Sequence, residues 1–251
     1  MRLFWHQLKA EQRVFWRNRE SAVFIFIFPP MLFLLLGAVY DDTITVHGAE
    51  YPAAEVLLAG MIGYGAANTG FAGTAIVLVV RREYAILKRL RSTPLPAPVY
   101  IGTMLVSTLL VFLLQTITLF VLGRVLYDTR PPERIGSLAL LVVLGTAVFA
   151  GMGFAAAALI RSAEGASAVV NVILLPMAFL SGAFGGRDYP AVLQAVANVL
   201  PLRYFIDLVR AVYLEEESAW SDLRALAVLG AWGLAGALVG ARYFRWEPQA
   251  R

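Results

Sequence analysis

Two runs without a single charged side chain, Val56 to Val80 and Ser92 to Gly123, constrain this chain more than any other feature. Each can cross a hydrocarbon layer ~30 Å thick, which takes about 20 helical residues at ~1.5 Å apiece. After the first and reaching into the second lies RREYAILKRLRSTPLPAPVY, Arg81 to Tyr100, with five basic residues and one acid, Glu83. Residues 82–91 favour a helix, and Pro94, Pro96 and Pro98 forbid its continuation. The pattern predicts a short, basic, amphipathic helix with a proline-stiffened exit, held between two membrane spans. That is the form of a cytoplasmic contact element in a membrane protein.

Composition agrees. The chain is 59% hydrophobic and 15% charged, where soluble domains are nearer half apolar and about a quarter charged. There is no cysteine, which excludes disulfides, thiolate metal sites and cysteine nucleophiles. A net charge of +4 could suit nucleic acid. Its distribution along the chain instead describes membrane topology.

The predicted fold is an all-α polytopic membrane protein with six transmembrane helices, at about 21–40, 54–80, 100–122, 135–160, 166–184 and 223–241. Residues 1–20 form a cytoplasmic amphipathic interface helix, 21–242 the transmembrane domain and 243–251 a cytoplasmic tail. On a helical wheel Phe4, Trp5, Leu8, Phe15 and Trp16 share one side, and Arg2, Lys9, Arg13 and Arg17 another. This suits a helix lying in the headgroup region, or one packing on the cytoplasmic side of the bundle; the two are compatible. The first span is too long for a signal-peptide core and has no Ala-x-Ala site, so it reads as retained. Pro29 and Pro30 should kink it. Span two is rich in small residues that let helices approach closely, and Gly236 and Gly240 form a small-xxx-small pair in span six. Between spans five and six, residues 190–200 and 202–214 are two short amphipathic helices separated by Pro201, each too short to cross. They read as a re-entrant pair on the outer face.

Lys and Arg fix the orientation. Fourteen fall in residues 1–20, the 81–100 loop, the 161–165 turn and the segment after span six, Arg242 included; six fall on the opposite side and Arg224 at its boundary. The excess assigns both termini and the Arg81 loop to the cytoplasm.

Missing chemistry narrows the function. None of the seventeen acids lies in a span interior, which disfavours an ion-coupled carrier. There is no G-x-x-x-x-G-K-[ST] phosphate loop. His6 and His47 fall on opposite sides of the membrane and cannot share a metal. The Gly151-x-Gly153 run imitates a dinucleotide fingerprint but lies inside a span, where close helix packing explains it. Asn68, Gln115 and Asn171 are costly to bury. They are candidates for interhelical contacts or for a translocation path, with Phe71, Phe112, Phe149 and Phe179 near in depth.

Three stretches carry a family resemblance: Arg82-Glu83 with Leu87-Lys88-Arg89-Leu90-Arg91-Ser92-Thr93-Pro94, then Leu175-Pro176-Met177 through Leu180-Ser181-Gly182-Ala183-Phe184, then Leu200-Pro201-Leu202 with Ile206-Asp207 and Val209-Arg210. In this order the sequence resembles the type-2 ABC transporter permeases, the membrane subunits of bacterial exporters such as the daunorubicin-resistance and polysaccharide or lipooligosaccharide systems. Tyr84-Ala85 departs from it, since many members have Gly-Thr after the acid.

The resemblance implies a permease in a bacterial or archaeal cytoplasmic membrane, acting as a homodimer with two separate ATPase subunits. ATP and Mg would bind the ATPase, and no cofactor this chain. It implies a coupling helix of Arg82, Glu83, Tyr84, Leu87, Lys88, Arg89 and Arg91, with Glu83 pairing across the contact. It implies outer gate helices with Tyr189, Pro190, Pro201, Arg203, Asp207 and Arg210, and a path at the dimer seam; the residues themselves offer Asn68, Gln115, Asn171 and Phe179 for such a path. The cargo would be an amphipathic drug-like compound or lipid, or alternatively a lipid-linked polysaccharide or lipooligosaccharide. An integral-membrane lipid enzyme would need convergent acids or histidines at one face, and the sequence has only scattered ones.

Overall fold

The structure, a computed structural model, describes residues 2–40, 43–46, 48–185 and 189–247. His47, Arg187 and the end of the tail lie outside the described residues, as does the side chain of Arg91. After α1 (Arg2–Arg17) comes α2 (19–37), followed by a hairpin of β1 (Thr43–Val46) and β2 (Ala49–Pro52). Then follow α3 (Ala53–Glu83), α4 (Ile86–Arg91), α5 (Ala97–Tyr127), α6 (Ile135–Leu159), α7 (Ala163–Leu180), α8 (Ala191–Ala197), α9 (Pro201–Tyr213) and α10 (Leu223–Tyr243).

Among the described residues five helices, α3, α5, α6, α7 and α10, are long and apolar enough to cross a membrane, or six if the bent pair α8–α9 is one span. The predicted first span is not among the five. Its apolar helix, Val23–Gly37, is shorter than such a crossing needs, because charged residues bound it on one side and the helix stops at Gly37 on the other. It still runs from one end of the bundle to the other. Phe26 packs on Trp16 of α1, while Leu34 accepts a hydrogen bond from Tyr127 at the far end of α5. Helix α5 extends past the predicted limit at 122 to Tyr127, where Asp128 in the left-handed conformation ends it. The hairpin falls in a loop that showed only its acids; Gly48, at φ 85°, makes its turn.

Helix α3 is the pillar of the bundle: every residue from 55 to 75 is buried. It packs against α2, α5, α6, α7 and α9. Apolar side chains therefore point outward all round its axis and find protein in every direction. Helices α6 and α10 meet at glycines, as the small-residue pattern predicts. A Cβ on Gly236 would stand 2.7 Å from the Gly151 carbonyl carbon, and one on Gly151 2.8 Å from the Gly233 oxygen. The Gly151-x-Gly153 run is therefore a packing surface.

The two ends of the bundle differ. One, the basic end, gathers α1, the 84–96 corner, the α6–α7 turn and Trp246, whose ring lies 6.1 Å from Tyr100. The other holds the β-hairpin, the 128–134 loop and the end of α9, tied by Glu55–Arg130 at 2.9 Å and by Tyr213 donating to the Arg130 carbonyl at 2.9 Å. Helix α1 buries Leu8 and Glu11 against the bundle, with Phe4 and Phe15 half-buried. Trp5 and Trp16 do not join that face. They stay 59% and 43% exposed, available to a headgroup layer.

Candidate coupling surface and embedded polar groups

The basic helix does not run unbroken from residue 82. Helix α3 continues through Arg82 and Glu83, Tyr84 closes it, and Ala85 takes a left-handed conformation, φ 54°, that turns the chain. Helix α4 then contains only Ile86–Arg91. Leu87 is fully buried and anchors α4 to the bundle, whereas Tyr84, Ile86, Lys88 and Arg89 face outward. Ser92 and Thr93 turn their hydroxyls onto the Arg89 and Leu90 carbonyls, at 2.8 and 2.6 Å, and close the helix. The result is an exposed step of two cations and two large apolar side chains, set on a buried leucine.

Arg82 and Glu83 hold this step from within. Arg82 is 1% exposed and donates to the carbonyls of Ala157, at 2.7 Å, and Ile160. Ala157 lies in the last turn of α6 and Ile160 just beyond it, where carbonyls lack helical partners. Glu83 accepts from the Ala163 N–H at the start of α7. A cation meets a helix C-terminus and an anion meets a helix N-terminus, each matched in sign to the helix dipole. Arg82 is thus buried and Glu83 part-buried, each with a partner inside the chain, where the resemblance implied that both dock on the ATPase. One residue earlier, Arg81 grips Glu11 of α1 with two nitrogens, at 2.7 and 2.9 Å, and donates to the Tyr100 hydroxyl at 2.8 Å. Gln12 adds donations to the Ser107 carbonyl and hydroxyl at 3.1 and 2.9 Å. Three consecutive residues, 81–83, therefore bind α1, α6 and α7 to the base of α4.

The embedded amides have a different task. In α2 a π-helical stretch, Val23–Ile27, precedes Pro29 and Pro30. The prolines have no N–H, so carbonyls one turn back lose their helical donors. Gln115 donates to the Ile25 and Phe26 carbonyls at 2.7 and 3.1 Å, and Asn68 to those of Phe24 and Ile25 at 3.4 and 3.3 Å. Both amides are buried. Of the two roles open from sequence, the interhelical contact accounts for these groups. Asn171 donates to the Ser167 carbonyl of its own helix at 2.8 Å. Phe71, Phe112 and Phe149 are core residues, whereas Phe179 is 60% exposed.

The bent pair is present, with α8 and α9 at 81° across residues 198–200, a form that a broken span and a re-entrant pair share. Pro190 precedes α8 and Pro201 opens α9, positions where a missing N–H costs nothing. Tyr189 donates to the Phe179 carbonyl. Arg203 and Asp207 lie 3.8 Å apart on one face of α9. Arg210 does not line an open gate: it is 2% exposed and donates at 2.8 Å to the carbonyl of Gly182. Gly182, at φ 72°, forms the left-handed end of α7 that glycine favours. A buried cation here fastens α9 to the end of α7.

Residues 2–214 match the sequence model of ABC-2 type transporters. That is most of the chain. The protein belongs to the ABC-2 type transporter family. No curated protein matches it. Permeases of this family are the membrane subunits of transporters and work with an ABC ATPase partner.

In this ABC-2 permease the residues assigned to coupling from sequence divide in two. Tyr84, Lys88 and Arg89 face outward with Ile86, which the sequence did not single out; Leu87, Arg82 and Glu83 support them. Neighbours on a helix point about 100° apart, which could have signalled that Ile86 and Leu87 face different ways. The Glu11–Arg81 tie had no such signal, since its partners are 70 residues apart. Ala85 explains why a glycine suits this turn. A Cβ in the left-handed region costs about 1–2 kcal/mol, so Ala85→Gly should raise thermal stability by roughly 1 kcal/mol in a melting experiment. Equal or lower stability would show that the turn is relaxed as it stands.

Proposed function

We propose that this chain is the membrane-spanning permease of an ATP-driven exporter. Two copies pair with two ATPase subunits, which bind ATP and Mg, and the protein resides in a bacterial or archaeal cytoplasmic membrane with its basic end in the cytoplasm. The excess of Lys and Arg in segments gathered at that end supports this orientation. The observation that carries the reading is the 81–93 corner: an outward step of Tyr84, Ile86, Lys88 and Arg89 whose root is clamped to three other helices. A free helix would absorb a partner's push. A clamped one passes it to α1 through Arg81–Glu11 and to α6 and α7 through Arg82 and Glu83. The cargo is an amphipathic compound, since the bundle is overwhelmingly apolar and its buried charged groups, Glu11, Glu55, Arg82 and Arg210, are each taken up by hydrogen bonds within the chain.

The test is Ile86→Asp with Arg89→Glu, reconstituted with the partner ATPase. Both side chains are exposed, and surface changes of this kind usually alter stability by only about 0.5 kcal/mol. Membrane insertion and melting should stay as in the parent protein, while ATP-driven transport falls at least tenfold. Transport at the parental rate would overturn the coupling role of this surface.

A further inference from the structure

A cavity of about 230 Å³ lies between α1, α3 and α5, running from Thr69 in the middle of α3 to Arg81 and Ile86 at the basic end. At ~1.5 Å per residue, Thr69 to Arg81 spans roughly 18 Å. The cavity exceeds the ~150 Å³ apolar hole that holds a benzene ring. Its walls are mainly aliphatic, Val77, Met104 and Val111 among them.

Three features define what fits. The first is a pair of hydroxyls. Thr69 and Thr74, 4% and 3% exposed, line the cavity, and neither Oγ1 has a hydrogen-bond partner. A threonine in a helix ordinarily satisfies its hydroxyl on its own backbone, as Thr108 and Thr116 do here at 3.0 and 2.9 Å. The π-helical stretch Ala67–Gly73 is the local cause: its wider turn brings residues five apart onto one face, so Thr69 and Thr74 lie on the same side of α3. The second is the rim. Glu11 and Arg81 both line the opening, but each is taken up by the other, so the rim offers no net charge. The third is the exit, where Ile86 of the outward step forms part of the wall.

We infer that this cavity is a binding site for an uncharged amphiphile: an aliphatic or ring body bearing a hydroxyl or carbonyl group that bonds to Thr69 and Thr74. Both oxygens are enclosed and without partners, which is destabilising in the empty protein, and rotation about χ1, which exchanges a threonine's methyl and hydroxyl, brings them to a ligand oxygen. A carboxylate or ammonium group would lose its hydration against a neutral rim and apolar walls. The inference deepens the exporter reading by naming the cargo class, and occupancy would press on Ile86, at the surface offered to the ATPase.

The test uses the full chain alone in lipid nanodiscs, so it does not depend on the exporter reading. The probe is octanol carrying a photoactivatable diazirine, with labelled residues identified by mass spectrometry. Labelling is expected on Val77, Met104 or Val111. It should be competed by unlabelled octanol but not by octanoate or octane. Thr69→Val with Thr74→Val should weaken labelling about tenfold, the worth of one to two hydrogen bonds. The same variant should melt at or above the parental temperature, because it removes hydroxyls that have no partner. Val77→Trp should block labelling by filling the space. Labelling spread over lipid-facing positions, equal competition by octane, or labelling indifferent to the threonine substitutions would each overturn the site.

The ligand's source is resolved by adding the partner ATPase and ATP. Loss of label during turnover identifies cargo, and label retained through turnover identifies a resident membrane lipid with the same hydroxyl or carbonyl chemistry.

Discussion

Replacing Arg82 by methionine is expected to lower the melting temperature by about 6–12 °C and to uncouple the protein that remains folded. The cause is local. Methionine keeps most of the apolar stem but leaves the Ala157 and Ile160 carbonyls without their donor, in a place sealed from water. Unsatisfied buried carbonyls cost about 1–3 kcal/mol each, and about 3 kcal/mol translates into that shift for a chain of this size at ~2–4 °C per kcal/mol. Glu83→Gln should cost less, because a neutral amide oxygen can still accept from the Ala163 N–H. The decisive comparison is the exchange of both, Arg82→Glu with Glu83→Arg. If the two residues mainly served each other as an ion pair, the exchange would be tolerated. The geometry says otherwise: each faces a different helix end, the cation a C-terminus and the anion an N-terminus. The exchange turns both interactions from attraction into repulsion, so the double variant should melt below either single one. A double variant as stable as the parent would mean that residues 82 and 83 do not clamp the corner.

How much of this could be read from the sequence depends on the range of the interaction. Helix α3, the α8–α9 pair broken at Pro201 and the glycine contact of α10 follow from local composition, because length, proline and small residues act within a few residues of themselves. The hairpin was hidden by its shortness and by acids that describe only exposure. At the corner, the segment was legible but the division of labour within it was not. Arg82 and Arg89 look alike as two cations of one basic stretch. One is buried against α6 and the other is exposed, and the difference lies in where α6 ends, 75 residues further on. The π-helical stretches of α2 and α3 had no local signature beyond the Pro29-Pro30 pair and the glycines. They arise where neighbouring helices accept the widened turns.

The π stretch of α2 is also where a second large effect is expected. Gln115→Leu should destabilise the protein by roughly 2–4 kcal/mol, since it withdraws the donor from two proline-orphaned carbonyls, Ile25 and Phe26. Asn68→Leu should cost about half as much, because its bonds to the Phe24 and Ile25 carbonyls are longer, 3.4 and 3.3 Å, and Gln115 already serves one of the two. The packing has been fitted to this clasp: a Cβ at Gly65 would stand 2.4 Å from the Gln115 Oε1. If the amides exist to answer the prolines, the cost must vanish with them. Alanine at 29 and 30 restores two backbone N–H groups, which can reach the Ile25 and Phe26 carbonyls one turn back and draw the π stretch toward α-helix. In that background Gln115→Leu should cost less than about 1 kcal/mol, a coupling of roughly 1–3 kcal/mol across the cycle. The cycle is measured by thermal or denaturant unfolding of the four proteins in one detergent. An equal cost in both backgrounds would mean that Gln115 is held for something other than the carbonyls, and the translocation path would regain its claim on that residue. A cost confined to the proline background would identify the pair Pro29-Pro30 with Asn68 and Gln115 as one structural unit, through which α2, the helix joined directly to α1, is held against α3 and α5.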